Sequence, residues 1–289
     1  MAVIATGFFD GVHTGHRLVI DTLLSEARAR GEQSLIVTFW PHPRAVLQSG
    51  ADSLRYLSSR GDRVTLLRSL GVDEVETVQF SREFASDSAR EYISMLCRDY
   101  QCSELVLGYD TRFGREQAGP EEIALLAREM GVGAVIAPPV TFEGAPVSSS
   151  RIRTALSEGD VVRAGQMLGR PYRLSGVVVS GNRIGRKIGF PTANMKLYEP
   201  LMLVPQNGVY HTRVNVLGSW YDGMTNIGTR PTVDDRGALT IETHILDFND
   251  MIYGLDITID FVKHIRPEQK FPSLEALRFQ LASDEACCR

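Results

Sequence analysis

The chain has 289 residues, 43% hydrophobic and 23% charged, a composition that suits a folded protein with two domains and excludes disordered and fibrous classes. Its formal net charge of -4 argues against a nucleic-acid surface, which needs a basic excess on one face. Cys97, Cys102, Cys287 and Cys288 lack zinc-ligand spacing, the apolar opening run to Phe9 has no basic leader, and no stretch nears the roughly 18 apolar residues of a membrane span. The expectation is a cytoplasmic protein with free thiols, a monomer or weak homo-oligomer, with no nucleic-acid or membrane partner.

Up to about Leu168, short apolar runs alternate with longer amphipathic ones. Ala2 to Thr6, Ser34 to Phe39, Glu74 to Val78, Leu105 to Leu107 and Ala134 to Ala137 read as buried parallel strands. Thr14 to Arg30, Gly61 to Leu70, Asp87 to Tyr100 and Glu121 to Met130 have the helical spacing, so this part predicts a doubly wound α/β sheet. After Gly169-Arg170-Pro171 the pattern changes. Leu174 to Ser180, Val209 to Val216, Trp220 to Ile227, Leu239 to Phe248 and Leu255 to His264 alternate or are β-branched between turn residues, which predicts an antiparallel barrel or sandwich. Ser273 to Leu281 closes the chain as a helix with Ser273 as N-cap. The domain boundary is expected near Arg170, giving domains 1–169 and 170–289.

Gly7-Phe8-Phe9-Asp10-Gly11-Val12-His13-Thr14-Gly15-His16 joins the first strand to the first helix, where open α/β sheets bind ligands. Its glycines admit a phosphate to the backbone, the helix N-terminus adds amide donors, and His13 and His16 can donate to a nucleotide's α-phosphate as pyrophosphate leaves. The same histidines also read as a cap plus a surface residue, or as part of a metal site. Val147-Ser148-Ser149-Ser150-Arg151-Ile152-Arg153 begins a helix after the last strand, and its hydroxyls with Arg151 and Arg153 form a seat for the leaving phosphates or an ordinary capped helix with solvated arginines.

In the second part, Gly181-Asn182-Arg183-Ile184-Gly185-Arg186-Lys187-Ile188-Gly189 is a basic glycine-rich loop that either wraps a polyphosphate or is a solvated hairpin. In Gly189-Phe190-Pro191-Thr192-Ala193-Asn194, the Thr192 hydroxyl and the Asn194 amide would both face inward on an extended segment, hard oxygen ligands that suit Mg²⁺. Glu242 shares a strand face with His244, opposite Ile241, Thr243 and Ile245. A carboxylate inside a barrel fits a catalytic base, and a solvent-facing Glu-His pair is the plainer alternative.

Asp10 to Leu18, Thr38-Phe39-Trp40-Pro41-His42-Pro43, Gly108-Tyr109-Asp110-Thr111-Arg112-Phe113-Gly114 and Ser148 to Arg153 together resemble the FMN adenylyltransferase half of the prokaryotic bifunctional riboflavin kinase/FAD synthetase family. Gly185 to Asn194, Asn207-Gly208-Val209-Tyr210, Asn226 to Thr232, Ile241 to Phe248 and Phe261 to Phe271 resemble its riboflavin kinase half. The resemblance implies a Rossmann-like nucleotidyltransferase domain followed by a six-stranded antiparallel barrel with a C-terminal helix. It also implies ATP as co-substrate, Mg²⁺, and riboflavin and FMN as flavin substrates.

By that resemblance His13, His16 and Glu242 are catalytic, with Glu242 the base for the ribityl hydroxyl. Gly7, Phe8, Asp10, Gly11, Asp110, Ser148, Ser149, Ser150, Arg151 and Arg153 bind ATP in the first half. Gly181, Arg183, Gly185, Arg186, Lys187, Thr192 and Asn194 bind it in the second, with Thr192 and Asn194 also holding the metal. Phe39, Pro41, His42, Pro43, Asp110, Phe113, Asn207, Arg230, Glu242 and Arg266 contact flavin. Phe8 departs from the usual Asn and Thr111 from the usual Phe.

Overall fold

A computed structural model describes residues 1–47, 54–181, 185, 188–230 and 238–289, and the chain divides into two compact units, Met1–Ser149 and Ser150–Arg289. That division falls earlier than the boundary expected near Arg170.

In the first unit β1 (Ala2–Thr6), β2 (Gln33–Trp40), β3 (Glu74–Gln79), β4 (Cys102–Gly108) and β5 (Gly133–Ala137) form one sheet in the order β3-β2-β1-β4-β5, every pair parallel. Helices α1 (Thr14–Arg30), α2 (Pro43–Leu47), α3 (Arg60–Ser69), α4 (Ala89–Tyr100) and α5 (Pro120–Glu129) connect the strands. β1 is buried along its whole length because both faces are covered. Val3 and Ala5 pack with Ile20, Leu23 and Leu67, while Ile4 packs on the other side with Ile93, Leu96 and Ile123. Full burial of each such side chain contributes about 1.5–3 kcal/mol. The order reverses between β1 and β4, so a crevice opens at their carboxyl ends. A small hairpin, β6 (Thr141–Phe142) with β7 (Ala145–Pro146), was not visible in the sequence pattern because its arms are two residues long.

α6 (Ser149–Ser157) and α7 (Val161–Leu168) precede the second sheet, and α7 packs against its strands β8 (Tyr172–Val179) and β13 (Asp256–Arg266). With β9 (Ala193–Leu197), β10 (Gly208–Val216), β11 (Ser219–Arg230) and β12 (Ala238–Ile245) these strands close an antiparallel barrel in the order β10-β11-β12-β9-β8-β13. The barrel resolves the barrel-or-sandwich alternative. Its sixth strand, β9, has the mixed composition Ala-Asn-Met-Lys-Leu and gives little β signal of its own. Inside, the Thr212, Thr225 and Thr243 hydroxyls bond in sequence at 2.8 and 2.9 Å, so each buried hydroxyl is satisfied.

Two expectations about the barrel change. Ala193 and Met195 are the buried residues of β9, so Thr192 and Asn194 share the opposite, outer face rather than facing inward. Ile241, Thr243 and Ile245 take the buried positions of β12, which puts Glu242 on the outer face, half-buried, and not inside the barrel. That outer face is covered by α8 (Leu274–Ala286), whose Leu281 joins Phe190, Val209, Met224, Leu246 and Cys288 in a separate apolar cluster. Ser273 caps α8 as expected, its hydroxyl accepting from the Ala276 N–H at 3.1 Å.

Candidate functional site

The crevice of the first unit is a cavity of ≈ 250 Å³, lined at the β1 and β4 ends by Gly7, Phe8, His13, His16, Asp110 and Phe113, with Phe39 behind. His13 is the N-cap of α1. Its Nδ1 accepts from the His16 N–H at 3.2 Å, so a neutral His13 carries its proton on Nε2. The two imidazoles stack, centroids 3.6 Å apart and 15° from parallel. Burial holds His16 well below the ordinary histidine range, with His13 and Arg63 adding to the same direction. The His16 Nδ1 is buried without a hydrogen-bond partner, a polar atom of the kind a ligand satisfies.

Other predicted residues of this half have different positions. The Asp10 carboxylate is 3% exposed and does not line the cavity. It accepts from the Leu57 and Ser58 N–H groups at 3.0 and 3.1 Å, while Gly11 N–H donates to the Ser58 hydroxyl at 3.0 Å. Asp10 therefore pins the segment before α3 behind the loop. Pro41, which follows a cis peptide, and Pro43, the first residue of α2, do not line the cavity, and the His42 ring packs on Phe8 with centroids 4.1 Å apart. The Ser149 hydroxyl donates to the Asp10 carbonyl at 3.0 Å, and Ser150, Arg151 and Arg153 lie on α6. The Thr111 hydroxyl accepts from Gly108 N–H at 2.8 Å at the end of β4.

Two contributors escaped the sequence reading. Tyr92 on α4 bonds the Thr6 hydroxyl at 2.5 Å and packs edge-on against Phe113, so it supports two cavity residues from behind. Arg63 on α3 is 0% exposed and lies under Phe8, its guanidinium carbon 4.0 Å from the ring centroid. Its signal was present: Arg63 stands four residues before the buried Leu67, a charge on the apolar stripe of a helix.

In the second unit a groove of ≈ 320 Å³ runs between the outer barrel face and α8. Gly185, Thr192, Asn226, Glu242, His244, Arg266 and Glu268 line it beside apolar walls from Ile188, Phe190, Met224 and Leu277. Glu242 is the register partner of Asn194 on one side and of Asn226 on the other. The His244 Nδ1 bonds the Pro191 carbonyl at 2.8 Å and so fixes the turn carrying Thr192, a role the sequence did not reveal. Gly181 leaves room for the Asn194 amide, which a Cβ there would push aside. Thr192 also lines a second cavity of ≈ 300 Å³, with Pro191, Ile245 and the Phe248–Tyr253 turn.

The Arg266 guanidinium is held from α8: Nε donates to Asp284 at 2.9 Å and Nη2 lies 2.7 Å from the same carboxylate, which is 2% exposed. Asn207 does not line the groove, and its Nδ2 donates to the Thr229 hydroxyl at 2.8 Å. Arg183, Arg186 and Lys187 lie outside the described residues, as does the side chain of Arg230.

Comparison with known proteins agrees with this division. A family model described as FAD synthetase matches residues 1–151, and one described as riboflavin kinase matches residues 168–289. Curated bifunctional riboflavin kinase/FMN adenylyltransferases are similar along nearly all of the chain. That of Listeria monocytogenes is 36% identical over 283 residues, 98% of this chain and 90% of the relative. That of Escherichia coli K12 is 38% identical over 293 residues, 99% and 91% of the two chains. A solved structure described as a macrolide-efflux protein from Streptococcus pneumoniae is 32% identical with a TM-score of 0.93, covering 100% of this chain and 94% of that one. Among the described residues here no helix is long and apolar enough to cross a membrane.

Proposed function

The chain belongs to the bifunctional riboflavin kinase/FMN adenylyltransferase family, and from that premise we propose which residues carry each of its two transfers. The second unit phosphorylates riboflavin to FMN with ATP, and the first adenylylates FMN to FAD with release of pyrophosphate. The activity domains are assigned as 1–169 and 170–289, supported by a riboflavin kinase match that begins at 168.

One observation carries the kinase assignment: Thr192 lines both the groove that contains Glu242 and the neighbouring cavity. The groove, with its apolar walls and few polar groups, takes the flavin, and the neighbouring cavity takes the nucleotide. Glu242 then accepts the proton of the ribityl 5′-hydroxyl as that oxygen attacks the γ-phosphorus and ADP leaves. His244 keeps Thr192 in place through Pro191. Thr192 and Asn194 offer hard oxygen donors on one face and fit Mg²⁺ carried in with the phosphates, whose charge it neutralises when bound. Among the described residues no group of three His, Cys, Asp or Glu could hold a metal.

For adenylyl transfer, an oxygen of the FMN phosphate attacks the α-phosphorus of ATP and pyrophosphate departs. His13 donates from Nε2, and neutral His16 donates its own N–H, to the oxygens that gain charge. Gly7 and the α1 N-terminus receive the phosphates, the Ser148 to Arg153 segment is assigned to the leaving pair, and Phe39, Asp110 and Phe113 border the flavin. Asp10 and Gly11 act by holding the loop. The acidic balance and the four free thiols support a cytoplasmic protein, monomeric or weakly self-associating, without nucleic-acid or membrane partners. The test is incubation with riboflavin, excess ATP and Mg²⁺, with separation of the flavins over time. FMN followed by FAD is expected, and consumption of ATP without either product overturns the proposal.

A further inference from the structure

Bringing the FMN phosphate to the phosphates of ATP joins two anions, yet among the described residues that line the first unit's cavity Arg112 alone has a permanent positive charge. Arg112 is exposed and donates to the Gln117 carbonyl at 3.3 Å. Behind Phe8, however, lies Arg63. Nη2 donates to the Phe39 carbonyl at 3.3 Å, while Nε and Nη1 are buried without a partner. A buried guanidinium with two unmade hydrogen bonds is costly, and burial draws it down to about 10. Phe8 stands between it and the cavity, its ring stacked on Arg63 at 4.0 Å from one side and tilted against His42 at 4.1 Å from the other. Trp40 and Tyr56 complete an aromatic enclosure, with the Trp40 ring 5.8 Å from the guanidinium.

We propose that Arg63 is the binding group for the FMN phosphate: Phe8 seals it in the empty cleft, and the incoming phosphate displaces Phe8 and takes the two unmade N–H bonds. This rests on the adenylyltransferase assignment. The phosphate is assigned to FMN because the Arg63 guanidinium bonds the Phe39 carbonyl and faces the Phe8 and Trp40 rings, the side of the cleft given to the flavin. The Phe8 departure then has a physical role, since an apolar ring stacks on a guanidinium where an amide would leave it hydrated.

The test compares Arg63→Met and Arg63→Lys with the unaltered full chain, measuring KM for FMN and for ATP in FAD formation. It also measures inhibition by lumiflavin, the flavin ring without the phosphorylated chain. Loss of a charged hydrogen-bonding group predicts a KM for FMN raised about ten- to a hundred-fold in Arg63→Met and less in Arg63→Lys. KM for ATP, lumiflavin inhibition and riboflavin phosphorylation stay within about two-fold. An unchanged KM for FMN overturns the proposal. So does parallel weakening of FMN and lumiflavin, which marks Arg63 as only a packing residue. If the unaltered chain forms no FAD, the adenylyltransferase assignment fails first and separately.

Discussion

Glu242 on β12 is the register partner of Asn194 on β9, so a carboxylate and an amide stand side by side on the outer wall of a barrel whose interior holds threonines. The pairing is fixed by the sheet, and Gly181 gives the Asn194 amide its room. Gly181→Ala forces that amide aside. FMN formation is expected to fall by about ten-fold or more, while FAD formation from supplied FMN is unchanged, as product separation would detect.

His244 holds the Pro191 carbonyl at 2.8 Å and thereby the Thr192 hydroxyl. In His244→Phe the ring remains and the hydrogen bond is lost, at a cost of about 1 kcal/mol. KM for ATP in the kinase reaction should rise by about five-fold with a smaller change in KM for riboflavin, since the flavin walls stay intact.

Asp284 on α8 fastens Arg266, which lines the flavin groove. Asp284→Ala leaves a largely buried guanidinium without its carboxylate, and the expected destabilisation is about 3 kcal/mol. Denaturant unfolding measures that loss. Asp284→Glu, which restores the charge, should recover part of it.

Because His16 is held below its ordinary value of 6.5, the unfolded chain binds this proton first as pH falls. The contribution of neutral His16 to stability is complete above about 6.5 and is lost as pH drops from there toward the folded value. Thermal unfolding should show a larger fall between pH 7.5 and 5.5 for the natural chain than for His16→Gln. Equal falls would contradict burial of this imidazole.

The parallel sheet was legible because burial on both faces writes continuous apolar runs such as Ala2 to Thr6, and α1 because its apolar positions recur three and four apart from Thr14 to Arg30. β9 was not, because Pro191 to Asn194 carries turn chemistry whose strand form depends on β8 and β12. The side of the barrel wall taken by Glu242 also escaped: alternation sorts residues into two faces but does not say which face is interior when α8 covers the outer one. Asp10 read as a ligand because its partners, Leu57 and Ser58, are far along the chain, and Arg63 went unread because its setting is made by Phe8, Phe39 and Trp40 together.

The most direct test of two sites in one chain is product separation after incubating the chain, its Glu242→Gln variant and its His16→Ala variant with riboflavin, ATP and Mg²⁺. Glu242→Gln should stop FMN formation yet still convert supplied FMN to FAD, and His16→Ala should accumulate FMN with FAD formation reduced by about a hundred-fold. FAD formation undiminished in His16→Ala, or lost in Glu242→Gln supplied with FMN, would contradict the assignment of one transfer to each unit.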